Sequence, residues 1–226
     1  MNRRALLQSL GVGMWAAAGW PLAYADAAAD FQTAIIRDNF VQMRKLLQQG
    51  MDPNTADERG RPALVKTMQL ESLRVAQELI KAPGIHINAV STAGETALMH
   101  ACIKGHIDVV RQLLALGARV NQPGWTPLHY AASADTEHST EIVRLLLEQH
   151  AYIDAESPNQ STPLMLAAQY GSQDMVLLLL DAGADVQARN QLGLSAVDFA
   201  RRSDRAFMVK ILEDASQAPR RSKASW

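Results

Sequence analysis

The chain has 226 residues, with 22 Lys and Arg against 23 Asp and Glu, which gives a formal net charge of −1 at pH 7. This balance gives no reason to expect nucleic acid or an anionic membrane as a partner. The single cysteine, Cys102, excludes an internal disulfide, so the fold must be held together by packing alone.

The first 25 residues have the three parts of a cleavable signal peptide. Arg3 and Arg4 form a short positive start, and residues 5–18 form an apolar run without acid or base. This run is shorter than the roughly 20 residues that span a bilayer. Small residues three and one before a cut, here in Ala23-Tyr24-Ala25, suit signal peptidase. We therefore expect residues 1–25 to be removed, the alternatives being an uncleaved anchor or a buried helix.

The paired arginines leave two export routes open. The segment from Asn2 to Gln8 resembles a twin-arginine signal, whose cargo crosses the membrane already folded. The match is partial, because such signals favour Ser or Thr before the pair and often Phe then Leu after it, where this chain has Asn2, Leu6 and Leu7. Ordinary secretion is the other route. Either route predicts a bacterial protein in the periplasm, with secretion from the cell as the alternative.

After the signal, the chain repeats itself about every 33 residues. The repeats end on polar residues at a constant spacing of 33, with the first of them 34 residues before the second. These ends are Asn54, Asn88, Asn121, Asp154 and Gln187. The repeats open on related motifs, namely Gly94-Glu95-Thr96-Ala97-Leu98-Met99, Gly124-Trp125-Thr126-Pro127-Leu128-His129, Ser161-Thr162-Pro163-Leu164-Met165 and Gly193-Leu194-Ser195-Ala196-Val197, with a weaker copy at Gly60-Arg61-Pro62-Ala63-Leu64-Val65.

Over residues 30–214 this pattern resembles the ankyrin-repeat family, whose unit is a turn followed by two helices, with Thr-Pro-Leu-His opening the first. The resemblance implies an all-α solenoid of five to six helix-turn-helix units, with hairpin-like fingers and polar caps at both ends. The domain is expected over residues 26–214, followed by a flexible basic tail over 215–226. The expected units are about 30–54, 57–88, 91–121, 122–154, 157–187 and 190–214.

Several residues have structural roles in such a unit. Thr126 and Thr162 can satisfy an unpaired amide at a helix start, and Pro127 and Pro163 follow where a missing N–H costs nothing. Glycine favours the left-handed conformation that ends many helices, which we expect of Gly117 and Gly183 after the second helices. The resemblance implies that His129 hydrogen-bonds between neighbouring repeats.

Two departures from the repeat lie close together. From Asn121 to Thr126 is five residues, where the same step elsewhere is eight, so this finger is three residues short. The connection between the next two helices has three extra residues within 134–139. These changes are either a binding adaptation or drift in loops that tolerate change.

No motif of a known catalytic site is present. The sequence has no phosphate-binding Gly-x-x-x-x-Gly-Lys and no His-Glu-x-x-His. His100, Cys102 and His106 form a loose metal-like cluster, but their places follow from the repeat. His138 lies in the only polar cluster outside the repeat pattern, in the added loop. We expect no enzyme, no cofactor, no metal and no small-molecule substrate, and keep a site in the 134–139 loop as a remote alternative.

The family binds proteins through a concave face made by the fingers and the exposed ends of the first helices. Transferring the register gives nine candidate binding residues: Arg59, Arg61, Glu95, Ile103, Lys104, Trp125, Asn159, Gln169 and Tyr170. Trp125 is either an exposed anchor or folded onto its own helix, and exposed aromatics often anchor interfaces. Arg59, Arg61 and Lys104 favour an acidic patch on the partner.

The resulting expectation is a monomeric, non-enzymatic interaction module in the periplasm. It would bind another exported or membrane-facing protein and inhibit, shield or stabilise it. Periplasmic ankyrin proteins resemble immunity proteins that neutralise a toxic enzyme such as a lipase, or accessory proteins that act beside catalase. The alternative is a secreted effector that binds host proteins.

Overall fold

The computed structural model describes residues 20–217, and twelve α-helices follow one another there in six consecutive pairs. We number the pairs as repeats 1 to 6. The pairs are α1 (Trp20–Ile36) with α2 (Phe40–Gln48), α3 (Ala63–Gln69) with α4 (Leu73–Lys81), α5 (Ala97–Ile103) with α6 (Ile107–Ala115), α7 (Pro127–Ala132) with α8 (Ser139–Glu148), α9 (Pro163–Tyr170) with α10 (Gln173–Asp181), and α11 (Ala196–Arg202) with α12 (Ala206–Gln217). The predicted all-α solenoid is confirmed, with six units.

In repeats 3, 5 and 6 the first helix begins at a hydroxyl that caps it. Thr96 and Thr162 accept the N–H of the third helical residue, Met99 or Met165, whose sulfur accepts the cap's own N–H in return. Ser195 and Asp198 make the same exchange with a carboxylate in place of sulfur. Reciprocal capping of this kind satisfies two amides that a helix start leaves unpaired. Pro127 and Pro163 occupy the first helical positions.

Neighbouring repeats bury their apolar faces against one another. First helices pack on first helices from α1 to α11, and α6, α8 and α10 pack together on the other side. The small pairs Ala101-Cys102, Ala131-Ala132 and Ala167-Ala168 are fully buried, as are Leu98, Leu128 and Leu164. Since one unit cannot bury its own face, stability comes from stacking.

The polar residue at the end of each unit forms a ladder between repeats. Asn88 donates to the Gly117 carbonyl at 3.1 Å and accepts from Arg119 N at 2.8 Å. Asn121 makes the same pair of bonds to His150 O and Tyr152 N, and Asn54 to Gly84 O and His86 N. The spacing of 33 residues thus reflects a side chain that pairs with backbone one repeat later.

Tight turns form the fingers, the segments before the first helices of repeats 2 to 6. In four of them the first side chain accepts backbone N–H groups within the turn; these are 57–61, 91–95, 157–161 and 190–194. The shortened finger, 122–125, is held by Gln122 instead, which donates to the Gly94 and Trp125 carbonyls. Isolated β-bridges at Ala56–Pro62 and Val90–Thr96 close two fingers at the base.

The ends of the solenoid differ from its middle. Helix α1 begins at Trp20 and continues past the expected cleavage site after Ala25. At the other end, α12 runs to Gln217, three residues beyond the expected end of the domain at 214. The rest of the expected signal peptide, residues 1–19, and of the tail, residues 218–226, lies outside the described residues. No helix within 20–217 is long and apolar enough to cross a membrane.

Candidate protein-binding surface

The concave face is the surface made by the fingers together with the first helices. Its amino-side half, in repeats 2 and 3, is covered by charged residues that bind one another. Asp57 receives two hydrogen bonds from the Arg61 guanidinium, at 2.8 and 2.6 Å. Lys66 lies 3.6 Å from the same carboxylate and donates to Gln32 at 2.8 Å. The Asp57 and Lys66 side chains are almost fully buried, so their charges are matched within the molecule.

The same chain of contacts continues into repeats 3 and 4 through Gln69. Gln69 accepts from Arg61 at 3.1 Å, and its amide nitrogen lies 3.1 Å from His100 Nε2. Glu95 lies 3.3 Å from His100 Nε2 and accepts from the Tyr130 hydroxyl at 2.9 Å. The polar residues of three successive repeats therefore form one connected cluster. We call it the charged cluster: Asp57, Arg61, Lys66, Gln69, Glu95, His100 and Tyr130.

Three pKa shifts reveal the protonation states of the charged cluster. Burial of Asp57 opposes its ionisation, but the Arg61 guanidinium and two backbone N–H groups outweigh this and lower the pKa to about 2. Burial lowers the pKa of His100, although Glu95 opposes the shift. Burial and the bond to Glu95 both raise the pKa of Tyr130. At neutral pH the cluster holds an ionised Asp57, a neutral His100 and a protonated Tyr130.

The other predicted binding residues of this half differ in their contacts within the chain. Arg59 is exposed on its finger, whereas Arg61 is held by Asp57. Lys104 forms an ion pair with Glu71 at 2.8 Å, and Ile103 is half-buried. Two of the three cations expected to face an acidic partner patch are thus already paired within the chain.

His129 joins the two halves of the face. Its Nδ1 accepts from Thr126 N at 3.2 Å and lies 2.9 Å from the Thr126 hydroxyl, while Nε2 lies 3.0 Å from the Ser161 carbonyl. The side chain is fully buried. Burial lowers its pKa, so the neutral ring donates from Nε2 to the next repeat. The contact joins repeat 4 to the finger of repeat 5.

Trp125 lies on the shortened finger and combines both of the expected roles. Its ring packs edge-on against the His129 imidazole of its own helix, with centroids 5.4 Å apart. It still leaves 37% of its surface exposed. One side of the indole is therefore fixed by the fold while the other faces solvent.

The carboxyl-side half of the face, in repeats 4 to 6, is mostly uncharged. Tyr170 and Leu192 are 55% and 74% exposed. Leu166 and Phe199, half-buried, occupy the helical position that Lys66 and His100 hold in the other half. We call these side chains with Trp125 the apolar patch: Trp125, Leu166, Tyr170, Leu192 and Phe199. Gln169 is half-buried on α9, and Asn159 is exposed, with its carbonyl oxygen accepting from Ser157 and Ser161.

Contacts between fingers make the apolar half continuous. Gln191 on the last finger donates through its backbone to the Asn159 backbone carbonyl at 3.0 Å and through its side chain to Pro158 O at 3.2 Å. On the other side, Pro158 lies against Gly124, where an added Cβ would come within 3.6 Å of the proline ring. The tips from Trp125 to Leu192 thus form one edge of a single surface.

Most of the charged cluster was not predicted from the sequence. Lys66, His100 and Tyr130 share one position of successive first helices, and this shared register was the signal that could have found them. Leu192 was missed as well, although it stands at a fingertip.

The histidines and the cysteine that were candidates for metal binding or catalysis lie among residues of the repeat framework. Cys102 is fully buried, and burial raises the pKa of its thiol. His106 Nε2 lies 3.5 Å from Glu71. In the added loop, Thr136 packs against Gly105, where an added Cβ would lie 2.3 Å from the threonine hydroxyl. His138 lies 4.0 Å from Glu141. Among residues 20–217, no group of three or more His, Cys, Asp or Glu is placed to hold a metal ion.

The chain is similar in sequence to known repeat proteins. The profile of ankyrin repeats, in three copies, matches residues 31–124 and 120–190. The human transient receptor potential cation channel subfamily A member 1 is 28% identical over 161 residues, which is 68% of this chain and 14% of the channel. Neurogenic locus notch homolog protein 1 of Xenopus tropicalis is 37% identical over 116 residues, 50% of this chain and 4% of the relative. The chain thus spans a small part of these curated relatives.

A solved structure is similar over most of this chain. It comes from a predatory endopeptidase of Bdellovibrio bacteriovorus in complex with an immunity protein. The TM-score is 0.70 at 23% sequence identity, and the match covers 82% of this chain and 97% of that chain. At this level of identity the similarity is one of fold.

Proposed function

This chain belongs to the ankyrin-repeat family, and we propose that it is a non-enzymatic binding protein of the periplasm that recognises one exported protein through its concave face. Ankyrin repeats are protein–protein interaction modules. The observation that carries the proposal is the apolar patch, because large exposed apolar side chains on a rigid surface mark protein interfaces. A preformed solenoid loses little conformational entropy when it binds.

Inhibition or shielding of the partner is the favoured consequence. Support comes from the similar solved chain, which belongs to a complex of an endopeptidase with an immunity protein. An immunity role also suits a protein delivered to the compartment where a foreign enzyme would arrive. A role as a secreted effector would instead require host proteins as partners.

Export through residues 1–25 is part of the proposal. Cleavage after Ala25 would leave residues 26–36 of α1. The buried side chains Phe31, Ala34 and Ile35 would remain in the mature chain. Cell fractionation with sequencing of the mature amino terminus tests this step. A periplasmic chain beginning at Asp26 is expected, and a cytoplasmic chain that retains Met1 would contradict it.

Capture of the partner tests the binding role. The protein, tagged at its carboxyl end and produced in its own host, is used to capture proteins from a periplasmic extract. The concave variant carries Trp125→Ala and Tyr170→Ala. The matched control carries Arg144→Ala and Leu177→Ala, on the second helices α8 and α10, where both side chains are exposed.

The two variants separate the outcomes. We expect one exported protein to be held by the wild type and by the control and to be lost by the concave variant. Loss of the protein by the control alone would place binding on the other face and contradict the proposal. An extract challenged with a toxin-delivering rival tests whether the partner arrives only then.

A further inference from the structure

The two halves of the concave face differ in charge as well as in polarity. In repeats 2 and 3, the acids and bases of the charged cluster bind one another. In the fingers and first helices of repeats 5 and 6, the sequence places one carboxylate, Asp198, and two guanidinium groups, Arg201 and Arg202. The finger and first helix of repeat 4 carry no Asp, Glu, Lys or Arg. The apolar patch therefore adjoins an excess of positive charge.

Asp198 and Arg201 are already bonded to other side chains of the protein. Asp198 receives hydrogen bonds from Ser195, which lower its pKa, and Arg201 lies 3.6 Å from it. Arg201 is also paired with Glu213 of α12. Arg202 is exposed, and within residues 20–217 it makes no hydrogen bond or ion pair. It is the cation on this half that remains available to a partner.

Arg202 lies at the rim of the apolar patch. It follows Phe199 by three residues on α11, so the two share a helix face. Helices α9 and α11 pack together, and the position of Arg202 on α11 corresponds to that of Gln169, next to Tyr170, on α9. Tyr170 lies about 10 Å along α9 from the first residue of that helix, by the helical rise per residue. We call the part of the concave face between Leu192 at the fingertip and Tyr170 and Arg202 at the helix ends the groove.

We infer that this groove takes a segment of the partner that is apolar and carries a carboxylate, the apolar side chains lying on the apolar patch and the carboxylate on Arg202. The inference rests on the proposed function and specifies the partner. Arginine recognises a carboxylate with two parallel hydrogen bonds, and this interaction is stronger where the surrounding surface excludes water. The charged cluster takes no ion pair from the partner, because its own charges are matched.

A peptide selection tests this without the native partner. Random twelve-residue peptides displayed on phage are selected for binding to the tagged protein, which is purified from its own host. The same pool is then tested on three variants: Tyr170→Ala with Leu192→Ala, Arg202→Glu alone, and a control with Arg144→Ala and Leu177→Ala. Arg144 and Leu177 are exposed on the second helices α8 and α10, away from the concave face.

We expect the enriched peptides to combine aromatic or aliphatic residues with at least one Asp or Glu. Their retention falls by about tenfold or more on the Tyr170→Ala, Leu192→Ala variant and on Arg202→Glu, as for the loss of an interface anchor. It stays unchanged on the control. Replacing the acid of the leading peptide by Lys abolishes binding to the wild type and restores it on Arg202→Glu.

Three results would overturn the inference: equal retention on Arg202→Glu, loss on the control alone, or no peptide enriched on the wild type over the Tyr170→Ala, Leu192→Ala variant. These results leave the proposed function standing if the native partner is still lost by the concave variant in the capture experiment. The proposed function would be contradicted instead if the peptide results were as expected but the native partner were lost by the Arg144→Ala, Leu177→Ala control alone.

Discussion

Repeats 3 and 5 have the same frame but differ in what they present to a partner. Both begin their first helix with a threonine cap and a methionine, and both bury a small pair and a leucine. At the next position, which is half-buried, repeat 3 has His100 within the charged cluster, while repeat 5 has Leu166 in the apolar patch. The frame is fixed by the fully buried positions, so the positions that reach the surface are free to carry different chemistry.

This difference implies separate tasks for the two halves. The charged cluster ties repeats 1 to 4 together through side chains, so changes there should affect stability. In the apolar patch, Tyr170 and Leu192 are mostly exposed and contribute little to folding, so changes to them should affect binding.

The largest effect is expected of Asp57→Ala. Removal of the Asp57 carboxylate leaves Arg61 and the buried Lys66 without their shared counter-charge. The turn of the finger 57–61 also loses the acceptor of its backbone N–H groups. Breaking such a pair costs about 3 kcal/mol. Chemical denaturation would measure the loss. An unchanged free energy of unfolding would show that the cluster does not stabilise the amino-side half.

Asp57→Asn is the matched control, because Asn190 makes the equivalent turn in repeat 6. This variant should keep the turn and lose the charge, so its free energy of unfolding should fall by less than that of Asp57→Ala. It also tests the pH dependence. The folded-state pKa of about 2 lies below the ordinary 3.8, so the contribution of Asp57 is complete above pH 4 and is lost as the pH falls towards 2. Denaturation midpoints over this range should fall less steeply in Asp57→Asn than in the wild type.

His129→Ala comes next, since it disconnects the two halves. It leaves the Ser161 carbonyl and the Thr126 N–H unpaired in the core, which costs about 2 kcal/mol. His129→Met should cost less, because methionine caps the equivalent helices of repeats 3 and 5. Thermal unfolding compares the two. Equal losses would mean that the bond to Ser161, which both variants lose, accounts for the whole effect, and would contradict a contribution of the cap.

Asn121→Ala tests the ladder that both halves share. It removes the bonds to His150 O and Tyr152 N, both at exposed sites, and should cost about 1 kcal/mol. Asn121→Asp retains the acceptor, as Asp154 does for Asp185 N one repeat later, and should lie between. A larger loss for Asp than for Ala in urea titrations would contradict this assignment.

The smallest loss is expected in the apolar patch. Tyr170→Ala with Leu192→Ala should change the free energy of unfolding by less than about 0.5 kcal/mol, because both side chains are mostly exposed. The same variant should lose the partner. A destabilisation comparable with that of Asp57→Ala would remove the distinction between the two halves.

Most of the fold was accessible from the sequence, and most of the surface was not. The spacing of Asn88 and Asn121, the Thr-Pro-Leu-His motif and the small pairs predict the helix pairs because they repeat. The pairing of Glu95 with Tyr130, 35 residues apart, does not repeat and depends on which side chains two neighbouring repeats happen to bring together. Arg61 illustrates the limit, since its finger position was predicted but its bond to Asp57 was not.

The proposed function requires that a protein partner docks on the concave face. Hydrogen exchange of the complex with the captured partner tests it most directly. We expect the amides of fingers 157–161 and 190–194 and of the end of α9 near Tyr170 to be protected, with α6, α8 and α10 unchanged. Protection confined to α6, α8 and α10 would contradict the claim.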